Sequence, residues 1–220
     1  MKEITKVFND YYPMDIIRKN GSNPSFISNY THKSKDTEQV HICMGYNGIE
    51  LGSKYTYPLL VMNNIFGGSM SSRLFQKIRE EKGLAYSVFS YPSSYIGCGV
   101  FSIYAGMKPT QTESVLNIIY NEINELRGNS ITNQELYDSK EQLKGSYILG
   151  LESTSGRMIS IGKSELLLDR IYSPNEIIKL IDSVTIDDVK YVIDCVFNDK
   201  YRGAAIIGPN SIDIKKLFQL

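Results

Sequence analysis

The stretch from Asn63 to Tyr86, NNIFGGSMSSRLFQKIREEKGLAY, fixes more of the possible fold than any other part of the sequence. Gly67-Gly68 ends the apolar helical pattern before it. Ser69, Ser71 and Ser72 then offer side-chain oxygens that can cap a second helix. The spacing predicts that helix from about Ser71 to Lys82, with Leu74, Phe75 and Ile78 on its apolar face. Lys82-Gly83 has the form of a helix exit, a cation on the last carbonyls followed by a residue free to take φ > 0. Leu84 to Val88 begins a strand. Arg79 therefore falls in the last turn of a helix and Tyr86 just inside a strand, with a tight turn between them that lets both face one cleft.

Other elements are legible from the same kinds of signal. Residues 1–34 are polar and broken by Pro, Gly and Asn, which predicts an N-terminal arm or linker, with a single domain over 35–220. Gln39–Met44 is a strand with an apolar face, and Tyr55–Phe66 a helix with Leu59, Met62 and Phe66 at helical spacing. Tyr86–Tyr95 and Cys98–Ala105, joined through Ile96-Gly97, predict a hairpin in which Phe101, Ile103 and Ala105 share the buried face. Thr110/Glu113, Thr132/Glu135 and Ser173/Glu176 match capping boxes, and Thr185/Asp188 is a weaker version. Gly203–Ile207 is a short buried strand. Strands and helices do not alternate regularly, so the expected fold is α+β: a mixed, largely antiparallel sheet with helices packed on one face.

Composition narrows the function. With 220 residues the chain can bury a sizeable core, and 24 Lys+Arg against 24 Asp+Glu leave no net charge to draw nucleic acid or an anionic membrane. No apolar run approaches the ~18 residues of a membrane span, and the charged, interrupted N-terminus does not resemble a signal peptide. Cys43, Cys98 and Cys195 are odd in number and set in apolar patterns, which predicts buried reduced thiols and a cytoplasmic location.

Familiar catalytic constellations are missing. The two histidines, His32 and His41, show no metal-ligand spacing; HxxEH and CxxC are absent. His41 is expected as a packed or half-exposed strand residue and His32 as a solvated residue of the arm. Gly67-Gly68-Ser69-Met70-Ser71-Ser72 superficially suggests a serine nucleophile, but Ser71 stands where a nucleophile elbow needs its second glycine. No GxxxxGK[ST] phosphate loop occurs. Glu80-Glu81 is expected as a solvated charged helix end, and Arg79, on spacing alone, as a cation near a helix C-terminus.

The run GGSMSSRLFQKIREEKGLAYSV resembles the signature of the second half of the pitrilysin/insulinase/mitochondrial processing peptidase family. KDTEQVHICMGY at Lys35–Tyr46, YAGMKP at Tyr104–Pro109 and KEQLKGSYILGLESTSGRM at Lys140–Met158 extend the likeness. These are zinc peptidases of two similar halves, and the resemblance implies the half that holds no zinc. It implies that Arg79 and Tyr86 reach across a cleft to bind substrate backbone and help stabilise the tetrahedral intermediate. It also implies that Gly67, Gly68 and Ser69 form the glycine-rich loop near the substrate entrance. No cofactor is then expected on this chain, zinc belonging to an HxxEH-bearing partner half in the same longer chain or a separate subunit. The remaining expected partners are a peptide substrate and a second copy in a homodimer. The alternative is an inactive structural or protein-interaction module of the same family with no part in proteolysis.

Overall fold

A computed structural model of the chain describes residues 24–129, 131–209, 217 and 218, together with 3 and 6. The first part of the expected arm, up to residue 23, otherwise lies outside the described residues. Its last part does not stay an arm. Tyr30–Ser34 form strand β1, parallel to the strand at Arg202–Gly208 and in register from Tyr30 opposite Ala204 to Ser34 opposite Gly208. His32 consequently sits half-buried in a strand, its Nε2 3.3 Å from the Gly208 carbonyl oxygen, and is not the free solvated residue the polar sequence suggested.

The remaining strands are β2 (Val40–Asn47), β3 (Ala85–Tyr95), β4 (Cys98–Met107) and β5 (Arg202–Gly208). Their order is β1-β5-β2-β4-β3, antiparallel everywhere except β1 against β5. Gly97, at φ +76°, makes the tight connection of the β3–β4 hairpin. The helices are α1 (Thr56–Phe66), α2 (Thr112–Asn129), α3 (Asn133–Gly150), α4 (Thr154–Leu168), α5 (Pro174–Asp182) and α6 (Ile186–Val196). The fold is α+β with a mixed sheet, as the irregular order of elements predicts.

Period-2 alternation decides which sheet face is covered. Val40, Ile42, Met44 and Tyr46 of β2 are buried and alternate with His41, Cys43 and Gly45. Phe101, Ile103, Ala105 and Met107 of β4 join them on the same face. Leu59, Met62 and Phe66 of α1, and Val189, Val192, Ile193 and Val196 of α6, complete the core. Phe66, Phe101 and Phe197 meet there with ring centroids 5.2–6.2 Å apart.

Helix starts match the sequence closely at three places. Thr132, Ser173 and Thr185 each make a full capping box, with Glu135, Glu176 and Asp188. The fourth differs. A 3₁₀ turn at Pro109–Gln111 leads into α2, which begins at Thr112 with its hydroxyl donating to the Pro109 carbonyl. Proline at the head of the segment starts the tighter turn before Thr110 can act as cap.

Candidate functional site

The motif helix predicted from Ser71 to Lys82 is present but wound differently. From Phe75 to Glu80 it is a π-helix, and the Glu81 N–H reaches back five residues to the Gln76 carbonyl at 2.9 Å. The serines do not cap it through accepted N–H bonds. Ser72 Oγ donates to Ser69 O at 2.6 Å and Ser69 Oγ donates to Asn64 O at 3.2 Å, which ties the loop back onto the end of α1.

The exit is the expected one. Gly83 takes φ +59°; its N–H donates to Arg79 O at 3.1 Å and the Leu84 N–H to Ile78 O at 2.9 Å. The first bond has the ordinary four-residue span of a left-handed exit, and the second reaches one residue further back than its usual counterpart, because the π-turn adds a residue.

Strand β3 carries a second insertion. Ala85 pairs with Met107 and Ser87 with the adjacent Gly106, so Tyr86 is the unpaired residue of a β-bulge. Both irregularities lie where side chains are re-aimed. Arg79 is exposed, its guanidinium 5.1 Å from the Phe75 ring centroid. Tyr86 is 52% exposed and lines a recess of about 170 Å³ with Gly83, Leu84, Ala85, Lys108 and Gln111. Arg79 does not line that recess. The structure thus brings the two onto consecutive elements around the Gly83 turn, each turned outward, with Arg79 stacked on Phe75. Lys108 and Gln111 escaped the sequence reading, although YAGMKP, which contains Lys108, marks the segment that supplies them.

Three ion pairs, made by Arg73 and Lys77, hold the motif helix while leaving Arg79 free of the core. Arg73 grips Glu135 on α3 with Nε–Oε1 at 2.7 Å and Nη2–Oε2 at 2.9 Å. Lys77 reaches the other way, to the buried Glu122 and the exposed Glu125 of α2. Between them Leu74 and Ile78 are fully buried.

The glycine-rich loop is a point of close approach. A Cβ on Gly67 would lie 2.6 Å from Ser90 Oγ and 2.9 Å from Ser90 N; one on Gly68 would lie 2.4 Å from Asn63 Nδ2 and 2.9 Å from Asn63 O. Gly67 is needed for space, because the Ser90 backbone and side chain come this close. The absence of side chains lets the Gly67 carbonyl accept from Ser90 N–H at 2.9 Å on the free edge of β3. Ser90 Oγ adds a bond to Asn63 Oδ1 at 2.8 Å.

Neither histidine joins a polar cluster suited to a metal. His41 Nδ1 lies 2.7 Å from the Tyr104 hydroxyl on the uncovered sheet face. Among the described residues, no three or more His, Cys, Asp or Glu are gathered as a metal site. Cys43, Cys98 and Cys195 form no disulfide and are only half-buried, short of the full burial their apolar sequence surroundings predict.

A family profile described as the peptidase M16 inactive domain matches residues 1–143. This chain belongs to that family. An M16 relative from Bacillus subtilis (strain 168), YmxG, named an uncharacterized zinc protease, is 43% identical over 85% of this chain and 46% of its own length. A Streptomyces coelicolor protein of like name, SCO5738, is 41% identical over 80% of this chain and 38% of its own. The M16 fold itself is shared with the crystal structure of a peptidase M16 inactive domain from Pseudomonas fluorescens, at a TM-score of 0.78 and 21% identity over 87% of this chain and 46% of that one. The chain thus spans 46% and 38% of the length of these two relatives, less than half of each.

Proposed function

We propose that this M16 inactive domain closes a peptide-holding chamber over a zinc-bearing half and supplies Arg79 and Tyr86 to the bound substrate. The observation that carries the reading is the pair of insertions. Arg79 stands on a π-turn and Tyr86 on a β-bulge, on either side of one glycine turn, while Arg73 and Lys77 anchor the helix between neighbouring helices. Such irregularities cost stability and recur where a side chain must be aimed at a ligand.

The chemistry suits peptide hydrolysis. The Arg79 guanidinium offers a planar fork of donors to substrate carbonyls. The Tyr86 hydroxyl would donate to an oxyanion developing on the substrate carbonyl. Zinc held by the companion half would supply Lewis-acid activation of water; this chain would supply positioning and charge stabilisation. By itself it should cleave nothing and hold no stoichiometric zinc. Its unbonded cysteines suit a reducing compartment such as the cytoplasm.

Reconstituting the peptidase with Arg79→Ala or Tyr86→Phe chains tests the proposal. A large fall in turnover with unchanged melting supports it. Full turnover in both variants overturns it and leaves a structural module as the reading.

A further inference from the structure

Helix α4, Thr154–Leu168, has no buried residue, although its sequence TSGRMISIGKSELLL is rich in large apolar side chains. Met158 is 68% exposed and Leu166 78%, with Ile159, Ile161 and Leu167 also exposed. These residues go round the helix and do not form one stripe. Ile148 and Leu149, at the end of α3, continue the exposed surface. Among the described residues, α4 packs extensively against no other helix or strand; Leu168, in its last turn, lies against Gly52.

A lone helix of this length is marginal in water, and two interior glycines weaken it further. Packing among the described residues does not explain Gly162, because a Cβ there would meet nothing within 4 Å. Large apolar side chains spread round a helix are ordinarily covered, even where polar residues stand between them. A flat partner or a single peptide covers one side only, so the occupant must be large enough to close around α4. A membrane surface fits poorly, since Arg157, Lys163 and Glu165 do not make a basic polar face.

We infer that α4, with Ile148 and Leu149, is the surface on which the zinc-bearing companion half seats. The occupant follows from length: this chain matches 46% of the Bacillus subtilis relative, so the relative carries as much chain again beyond the matched part. A half fused in one chain is present at an effective concentration in the ~mM range, above what a second copy reaches in solution. The inference rests on the proposed pairing with a zinc half and adds which surface makes it, a surface separate from Arg79 and Tyr86.

The test mixes the 220-residue chain with its own zinc-bearing half, expressed separately, and follows association by sedimentation and amide exchange. The double variant Met158→Lys/Leu166→Lys should melt as the parent does, because both side chains are exposed, and should bind the zinc half at least tenfold more weakly. Exchange in residues 154–168 of the parent should slow at least tenfold on association. Arg79→Ala should associate normally, so its loss of turnover reports on the clamp alone. Unweakened association of the double variant, or unprotected 154–168 amides in the complex, overturns the inference and leaves the clamp standing. A parent chain that dimerises through α4 overturns it in favour of a second copy. A parent chain that ignores the zinc half sinks both this inference and the proposed pairing.

Discussion

Arg73 holds Glu135 by both carboxylate oxygens, and Glu135 Oε2 at the same time accepts from the N–H and hydroxyl of Thr132, at 2.8 and 2.9 Å. One carboxylate therefore closes the capping box of α3 and anchors the motif helix to it. Arg73→Ala should remove the anchor to α3 while leaving the capping box in place, and cost about 1–3 kcal/mol. For a chain of this size that lowers the melting temperature by roughly 2–4 °C per kcal/mol. Urea denaturation is the check, and an unchanged midpoint would show that the pair contributes nothing. Because Arg73 supports the fold, the exposed Lys82 is the control substitution on this segment for the clamp variants.

The same pair sets an acid dependence. Burial acts to raise the Glu135 carboxyl, but Arg73 and Thr132 outweigh it and hold the group below the usual carboxylate range. A depressed carboxyl contributes fully above its unfolded pKa, about 4.3, and loses that contribution as pH falls through the lower folded value. Glu135→Gln should therefore be less stable than the parent at neutral pH. The gap should close as the pH drops below about 4. Urea midpoints across that range decide it, a gap independent of pH being the contrary result.

Gly67 and Gly83 should fail differently. Alanine at 67 drives a Cβ into Ser90 and should cost about 1–3 kcal/mol by overpacking. Alanine at 83 meets nothing within 4 Å but must adopt φ +59°, for roughly 1–2 kcal/mol of strain. Asparagine, which tolerates the left-handed region, should recover part of the loss at 83 and none at 67. Equal recovery at both positions in thermal melts would refute the distinction.

Tyr86→Phe removes one hydroxyl from an exposed ring. In the assembled peptidase it should lower kcat by roughly ten- to a thousandfold, while binding of an uncleaved peptide weakens far less. Arg79→Ala should weaken both, and it sacrifices only an exposed stacking contact on Phe75, worth about 0.5–1 kcal/mol to the fold. Turnover and melting measured side by side on both variants separate action on substrate from action on stability.

Local rules in the sequence determined a good part of this protein. Three capping boxes, the hairpin closing at Gly97, the buried faces of β2 and β4 and the left-handed exit at Gly83 depend on residues a few positions apart. The run from Gly67 to Val88 also carried the family. Only the tertiary structure decided the rest, because it turns on partners distant in sequence. Tyr30–Ser34 became a strand when β5, far along the chain, supplied an edge to pair with. Tyr86 is a bulge because β4 offers one fewer partner than β3 has residues at that point. Gly67 is glycine because Ser90 comes so close. The extra residue in the motif helix leaves no mark in hydrophobic spacing, since Leu74 and Ile78 suit an α-turn equally well. α4 shows the limit of both: its apolar sequence calls for burial, and nothing within the described chain provides it.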